Sequence, residues 1–331
     1  MPLPESVRRG RPRPALRLVE TKDLSRDDWL EVRKNGIGGS DAAAAVGLSP
    51  YMSPLELWLI KTGRDANLPR PDADDTTEPV YWGTLLEPIV AAVYTKQSGN
   101  KVRRLNAVLR HPTIPFMLAN IDREVVGNPG VHLLECKTAG EFGARLWRDC
   151  VPGYVQIQVQ HQLAVTGKSS ADVAVLICGQ KLEVHRIGRD DGLIARLIEL
   201  EAAFWRHVET DTPPSADGSE SADRALRCLY PGAGGTVDFT GDRSLSTTFA
   251  DLVAVRARIE GHQAIESKLK QTIQQAMGEA DRAEFETGSV SFHRSRDGAG
   301  IDLQRLLTDH PELAAQYAIT KPGSRRFLVN T

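Results

Sequence analysis

One stretch limits the fold of this chain more than any other: Met117 to Lys137, reading MLANIDREVVGNPGVHLLECK. Two runs rich in β-forming residues, 116–126 and 131–137, flank Gly127, Asn128, Pro129 and Gly130, which supply turn geometry. The segment therefore predicts a β-hairpin. Side chains alternate along a strand, so Glu135 and Lys137 share one face while Leu134 and Cys136 share the other. Asp122, on the first strand, can approach both. Two carboxylates and one ammonium meeting at a strand edge make a hard-oxygen cation site beside a fixed positive charge, which is what phosphodiester hydrolysis with Mg²⁺ requires. The same spacing has a plainer reading, in which Asp122 is a turn residue and Glu135 and Lys137 lie on the solvated face of an edge strand.

Composition does not decide between them. The 331 residues carry 41 Lys and Arg against 43 Asp and Glu, a net charge of −2, so DNA contact has to come from local basic patches and not from a bulk field. Cys136, Cys150, Cys178 and Cys228 form no C-x-x-C pair, which argues against a zinc site, a disulfide framework or an iron–sulfur cluster. No apolar run approaches the ~20 residues needed to span a bilayer. A soluble, cytoplasmic protein with no membrane contact is the expectation.

Residues 1–24 predict a flexible basic arm, with Arg8, Arg9, Arg11, Arg13 and Arg17 interspersed among prolines. Residues 25–212 predict the folded domain. Ser25 and Ser53 are helix N-cap signals, a strand pair is expected around 102–109, a helix over 154–166, a hairpin over 172–187 and an amphipathic helix over 190–209. Strands before and after helices indicate an α/β sandwich. Residues 213–236 read as a linker, and 237–331 as an extension with a long helix over 246–277 and strand-like pieces at 289–294 and 325–329.

Arg33-Lys-Asn-Gly-Ile-Gly-Gly-Ser-Asp41 is a glycine-rich basic turn that opens a helix. It reads either as a phosphate cradle with Arg33 and Ser40 as side-chain partners or as a helix cap made by Ser40 or Asp41. Glu87 follows Thr84 by three residues, so its own window favours a capping box over a role as a further site carboxylate. Gln158 and Gln160 could orient water or phosphate, or be surface residues.

Taken together, the landmarks Arg33-Lys-Asn-Gly-Ile-Gly-Gly-Ser-Asp-Ala, Leu48-Ser-Pro-Tyr-Met-Ser-Pro-Leu-Glu-Leu-Trp, Trp82-Gly-Thr-Leu-Leu-Glu-Pro, Ala119-Asn-Ile-Asp, Leu134-Glu-Cys-Lys-Thr and Gln158-Val-Gln-His-Gln-Leu-Ala-Val-Thr-Gly resemble the YqaJ-type viral recombinase family. This is the phage lambda exonuclease group of the PD-(D/E)XK nuclease superfamily. They stand in the family's order across 25–212, with Ile121-Asp122 where the superfamily usually has Pro-Asp. The resemblance implies a restriction-endonuclease-like core, a central mixed β-sheet flanked by helices, with a C-terminal helical and β extension. It also implies a Mg²⁺-dependent exonuclease, phage- or prophage-encoded, that digests linear double-stranded DNA 5′ to 3′ and leaves a 3′ strand for a single-strand annealing protein. Carried over by position, Asp122, Glu135 and the backbone carbonyl of Cys136 would ligate metal, and Lys137 would be the catalytic lysine. Glu87 would join the metal site, Gln158 would orient water or carboxylates, and Arg33 and Ser40 would grip the 5′ phosphate. Two ions, Mn²⁺ in place of Mg²⁺, and a trimeric ring around DNA belong to the same implication. The alternative is a DNA-end-binding or scaffold protein of this fold without turnover.

Overall fold

The computed structural model describes residues 14–69, 72, 74–232, 234–320, 323 and 325–330. The chain divides into two units, Met1–Pro231 and Gly232–Thr331.

In the first unit, strand β1 (Leu16–Glu20) is followed by helices α1 (Arg26–Lys34), α2 (Gly39–Ala45) and α3 (Pro54–Lys61). Local chemistry starts them: the Ser25 hydroxyl accepts from the Asp28 N–H, and the Ser53 hydroxyl accepts from the Glu56 N–H with Pro54 at the first helical position. Helix α4 (Pro79–Ser98) stops at Gly99, whose φ of 72° suits the left-handed cap. Strands β2 (Lys101–Arg104), β3 (Ala107–Arg110), β4 (Leu118–Ala119), β5 (Arg123–Val126) and β6 (Leu133–Ala139) come next, then a 3-10 turn at Gly143–Trp147 and helix α5 (Gly153–Thr166). Strands β7 (Ser170–Ile177) and β8 (Lys181–Gly188) precede α6 (Asp191–Glu209) and α7 (Glu220–Leu229).

The main sheet runs β2-β5-β6-β7-β8 and is mixed, because β6 and β7 are parallel while the other pairs are antiparallel. A parallel pair needs a crossover, and α5 lies in it. One face of β6 presents Leu133, Glu135, Lys137 and Ala139; Leu133 joins Val173 and Val175 of β7 in packing with Val155, Val159 and Leu163 of α5. The opposite face, with Leu134, Ala174 and Leu176, packs with Val90, Ala91 and Tyr94 of α4. Helices thus cover both faces of a central mixed sheet; the 172–187 hairpin appears as β7–β8, whereas the 116–137 hairpin keeps only β5 of its first run, because β4 pairs with β3 in the other sheet and Asp122 lies in the bend before β5.

Several expectations change. The strand pair around 102–109 splits between sheets: Ala107 N–H closes a turn onto Leu105 O, so β2 pairs with β5 while β3 pairs with β1 and β4. The segment 1–24 is not an arm throughout, since β1 pairs antiparallel with β3; residues 1–13 lie outside the described residues. The supposed linker 213–236 contains α7, whose small residues Ser221, Ala222 and Ala225 are buried. Ser221 Oγ accepts from the Ser53 N–H at 2.7 Å and donates to Glu56 at 2.6 Å, and Arg224 reaches the same carboxylate at 3.0 Å. The Glu56 side chain therefore turns to α7, while Ser221 satisfies the Ser53 N–H. Thr84 lies inside α4 and donates to Val80 O at 3.0 Å, which removes the capping-box reading of Glu87.

The second unit holds α8 (Arg243–Met277), the hairpin β9 (Arg282–Phe285) and β10 (Gly288–Ser291), and the short helices α9 (Leu303–Asp309) and α10 (Pro311–Gln316). No regular strand forms over the described part of 325–329. Among the described residues, no helix is long and apolar enough to cross a membrane.

Candidate active site

The β5–β6 pairing sets Arg123 opposite Leu134, so continuing that register brings Asp122 beside Glu135. The Cys136 N–H donates to Asp122 Oδ2 at 2.8 Å, fixing the carboxylate against β6. Lys137 Nζ donates to Glu135 Oε1 at 2.7 Å, as strand alternation requires for residues two apart. From α5, Gln158 donates through Nε2 to Glu135 Oε1 and accepts from Lys137 Nζ at 3.0 Å. One helical turn later, Gln162 Nε2 donates to Glu135 Oε2 at 2.8 Å. Glu135, only 4% exposed, is thus held at both oxygens.

The electrostatics are unbalanced. Burial, then Glu135 and Glu87, push the Asp122 carboxyl well above the usual carboxylate range, with the Cys136 N–H and Lys137 opposing. Burial works against the charge on Lys137, but Glu135 and Asp122 outweigh it and raise its pKa. The Cys136 thiol is pushed far up by burial and by the same carboxylates, so it stays protonated and inert. Glu87 Oε1 pairs with Arg123 Nη1, which also donates to Asp122 O at 2.6 Å. Among the described residues, no three Asp, Glu, His or Cys side chains form a ready-made metal cage. The donor set still suits a hard divalent cation: two crowded carboxylates and the carbonyl of Cys136 offer oxygen ligands, and Mg²⁺ normally completes its shell with water and substrate phosphate.

The structure therefore brings Asp122, Glu135, Cys136, Lys137 and Gln158 together, with Glu87 beside them on Arg123. Arg33 and Ser40 form a second cluster. Arg33 Nη2 donates to Ser40 Oγ at 2.6 Å and to Asp41 Oδ1 at 2.8 Å, with its guanidinium 4.7 Å from the Trp29 ring. Lys61 Nζ donates to Asp41 Oδ2 at 2.7 Å, and the Gly38 N–H donates to the same oxygen at 3.0 Å, so Asp41 is the capping side chain. Burial opposes the charge on Asp41, yet Arg33 and Lys61 hold its carboxyl far below the usual range; the Lys61 ammonium is lowered, chiefly by burial. Glycine is needed at Gly36, where a Cβ would meet Phe116 O at 2.5 Å, because the turn docks on β4 with Ile37 N–H donating to Phe116 O.

Gln162, Arg123 and Lys61 escaped the sequence reading. The signal for Gln162 was its i,i+4 spacing from Gln158 on one helix face. Gln160, by contrast, makes a structural tie, donating to Gly188 O at 2.8 Å and accepting from the Asp190 N–H at 3.0 Å.

Residues 28–169 match the sequence profile of the YqaJ-like viral recombinase domain. The YqaJ protein of Bacillus subtilis (strain 168) is 38% identical over 263 residues, which span 78% of this chain and 77% of that protein. Among solved structures, an alkaline exonuclease from Laribacter hongkongensis, LHK-Exo, is similar over 56% of this chain and 93% of its own, at 23% identity and a TM-score of 0.46. A phage-related exonuclease from Haemophilus somnus 129PT is similar over 55% of this chain and 97% of its own, at 12% identity and a TM-score of 0.39. With more than three-quarters of its length aligned to YqaJ at this identity, the chain belongs to the YqaJ-like viral recombinase family.

Proposed function

We propose that this protein is a metal-dependent exodeoxyribonuclease that digests linear double-stranded DNA from the 5′ end and leaves a 3′ single strand for an annealing protein. The observation that carries the reading is the crowded pair of the half-buried Asp122 and the buried Glu135, only partly balanced by Lys137. A site that gathers negative charge out of water and leaves it uncompensated is built to receive a cation. Asp122, Glu135 and the Cys136 carbonyl are the proposed ligands of Mg²⁺, with Mn²⁺ as a substitute; Glu87 is the proposed further carboxylate, for a second ion. When bound, the cation supplies a water of lowered pKa and positive charge toward the scissile phosphate.

The chain's own groups do the rest. Lys137, charged across the neutral range, stabilises charge that builds on the phosphoryl oxygens. Gln158 bridges Lys137 and Glu135 and keeps both in one geometry. Arg33 and Ser40, side by side at the glycine-rich turn, bind the 5′ phosphate, with Asp41 and Lys61 fixing the guanidinium from behind. A homo-oligomeric ring around the duplex belongs to the same reading.

The test is digestion of end-labelled DNA with Mg²⁺. Linear duplex with a 5′ phosphate should release mononucleotides, a 5′ hydroxyl duplex should be slower, and EDTA should stop both. Equal attack on closed circular DNA, or release that persists in EDTA, overturns the reading; tight end-binding without release identifies the scaffold alternative.

A further inference from the structure

Glu135 is gripped asymmetrically. Its Oε1 takes two donors, Lys137 and Gln158, whereas among the described residues Oε2 takes Gln162 alone, at 2.8 Å. The same Gln162 amide reaches back to Asn120 O at 3.3 Å, two residues ahead of Asp122. One neutral group therefore touches both the segment leading into Asp122 and the strand that carries Glu135. An amide can orient a carboxylate without cancelling its charge, which a lysine at this position would do. Gln162 is itself only 2% exposed, and a Cβ built on Gly39 would stand 3.2 Å from Gln162 Cγ and 3.3 Å from Gln158 Cγ. Those distances leave no slack, so the bare backbone at the start of α2 is the wall on which both glutamines rest.

We propose that Gln162 is a positioning residue that sets the Glu135 carboxylate, and its spacing from Asp122, for a divalent cation, and that Gly39 seats Gln162. The inference rests on the metal-site reading above. Partners that orient a ligand are typically worth ~10- to 100-fold in metal affinity. Gln162→Met keeps the length and removes the donor; Gly39→Ala alters no polar group and moves the glutamines by tenths of an ångström.

The experiment is Mn²⁺ titration of the full chain, read by calorimetry and by the electron paramagnetic resonance signal of free Mn²⁺. Thermal unfolding without metal is the control. Gln162→Met should weaken Mn²⁺ binding about 10- to 100-fold while unfolding stays cooperative, and Gly39→Ala should weaken it by a smaller factor in the same direction. The Mn²⁺ concentration that half-saturates digestion should rise in step. Wild-type affinity in Gln162→Met overturns the proposal; if Asp122→Asn abolishes binding in the same series, the metal site itself still stands. If Gln162→Met loses cooperative unfolding, Gly39→Ala decides, and an unchanged Kd there overturns the proposal. No Mn²⁺ uptake by the wild-type chain removes both readings together.

Discussion

Two carboxylates stand on adjacent central strands and face opposite sides of the same sheet, and they are handled in opposite ways. Asp172 on β7 receives a two-pronged grip from Arg186, Nε to Oδ1 at 2.8 Å and Nη2 to Oδ2 at 3.1 Å, and the Tyr94 hydroxyl donates to Oδ2 at 2.7 Å. Asn100 in turn donates to that hydroxyl, which is pushed up to about 12 by burial and by Asp172. One buried negative charge meets one guanidinium, and the cluster is closed. Around Glu135 and Asp122, with Glu87 reaching in from α4 through Arg123, the described residues set three carboxylates against two cations, Lys137 and Arg123. The first arrangement holds a helix to a sheet. The second carries a charge deficit that folding alone does not relieve, which is how a site differs from a strut.

The sharpest way to break this contrast is to remove a cation from the open side. Lys137→Ala should lower single-turnover release of labelled nucleotide by about 10²-fold or more, the scale for losing one preorganised charge stabiliser. The fold should survive, because Gln158 and Gln162 still occupy both oxygens of Glu135. Full activity in this variant would mean that the two faces of the sheet do not differ in the way argued.

Matched neutral substitutions sharpen it further. Asp172→Asn leaves Arg186 without its carboxylate and should cost about 2 kcal/mol in urea unfolding, below the range for a fully buried pair because the Arg186 side chain is 53% exposed. Asp122→Asn should abolish digestion and yet leave the protein as stable or up to about 1 kcal/mol more stable in EDTA, because it removes one of the crowded charges. Opposite signs from the same chemical change, read in the same titration, are the expected outcome. A destabilised Asp122→Asn beside a neutral Asp172→Asn would reverse the assignment of strut and site.

Much of the open side could be read from local pattern. Alternation on β6 put Glu135 and Lys137 on one face, the Gly-Asn-Pro-Gly turn set the hairpin, and Gly167 marked the end of α5. What could not be read were partners far apart in the chain. Lys61 on α3 meets Asp41 on α2, and Glu56 meets Ser221 and Arg224 on α7, through tertiary packing that no window of sequence contains. Glu87 shows how a local signal misleads: the Thr84 to Glu87 spacing is a good capping box, but α4 already begins at Pro79, so the spacing falls mid-helix and Glu87 is free to turn toward Arg123. Likewise Leu16–Glu20, read as part of the basic, proline-rich arm, forms a strand because β3 offers an edge for it to pair with.

A third buried pair lies behind α5, and it gives the smallest and most specific effect. His161 and Glu201 are fully buried, with His161 Nδ1 2.7 Å from Glu201 Oε1 and Nε2 2.8 Å from Leu118 O. A backbone carbonyl can only accept, so Nε2 carries a proton, and the Glu201 carboxylate beside Nδ1 favours a second proton there and with it the imidazolium form. Burial opposes that charge, but Glu201, the Leu118 carbonyl and the more distant Asp41 outweigh it, so the pKa of His161 is raised. A group whose pKa is higher in the folded chain than in the unfolded one stabilises fully below its unfolded value, near 6.5, and that contribution is lost as pH rises through the folded value. Glu201→Gln removes the counter-charge and leaves burial to depress the same pKa. The stability advantage of the wild-type chain over Glu201→Gln, measured by urea unfolding, should therefore be largest at pH 6 and shrink steadily toward pH 9. An advantage that grew with pH would show a neutral histidine at this position, and α5 would then be held against β4 without help from charge.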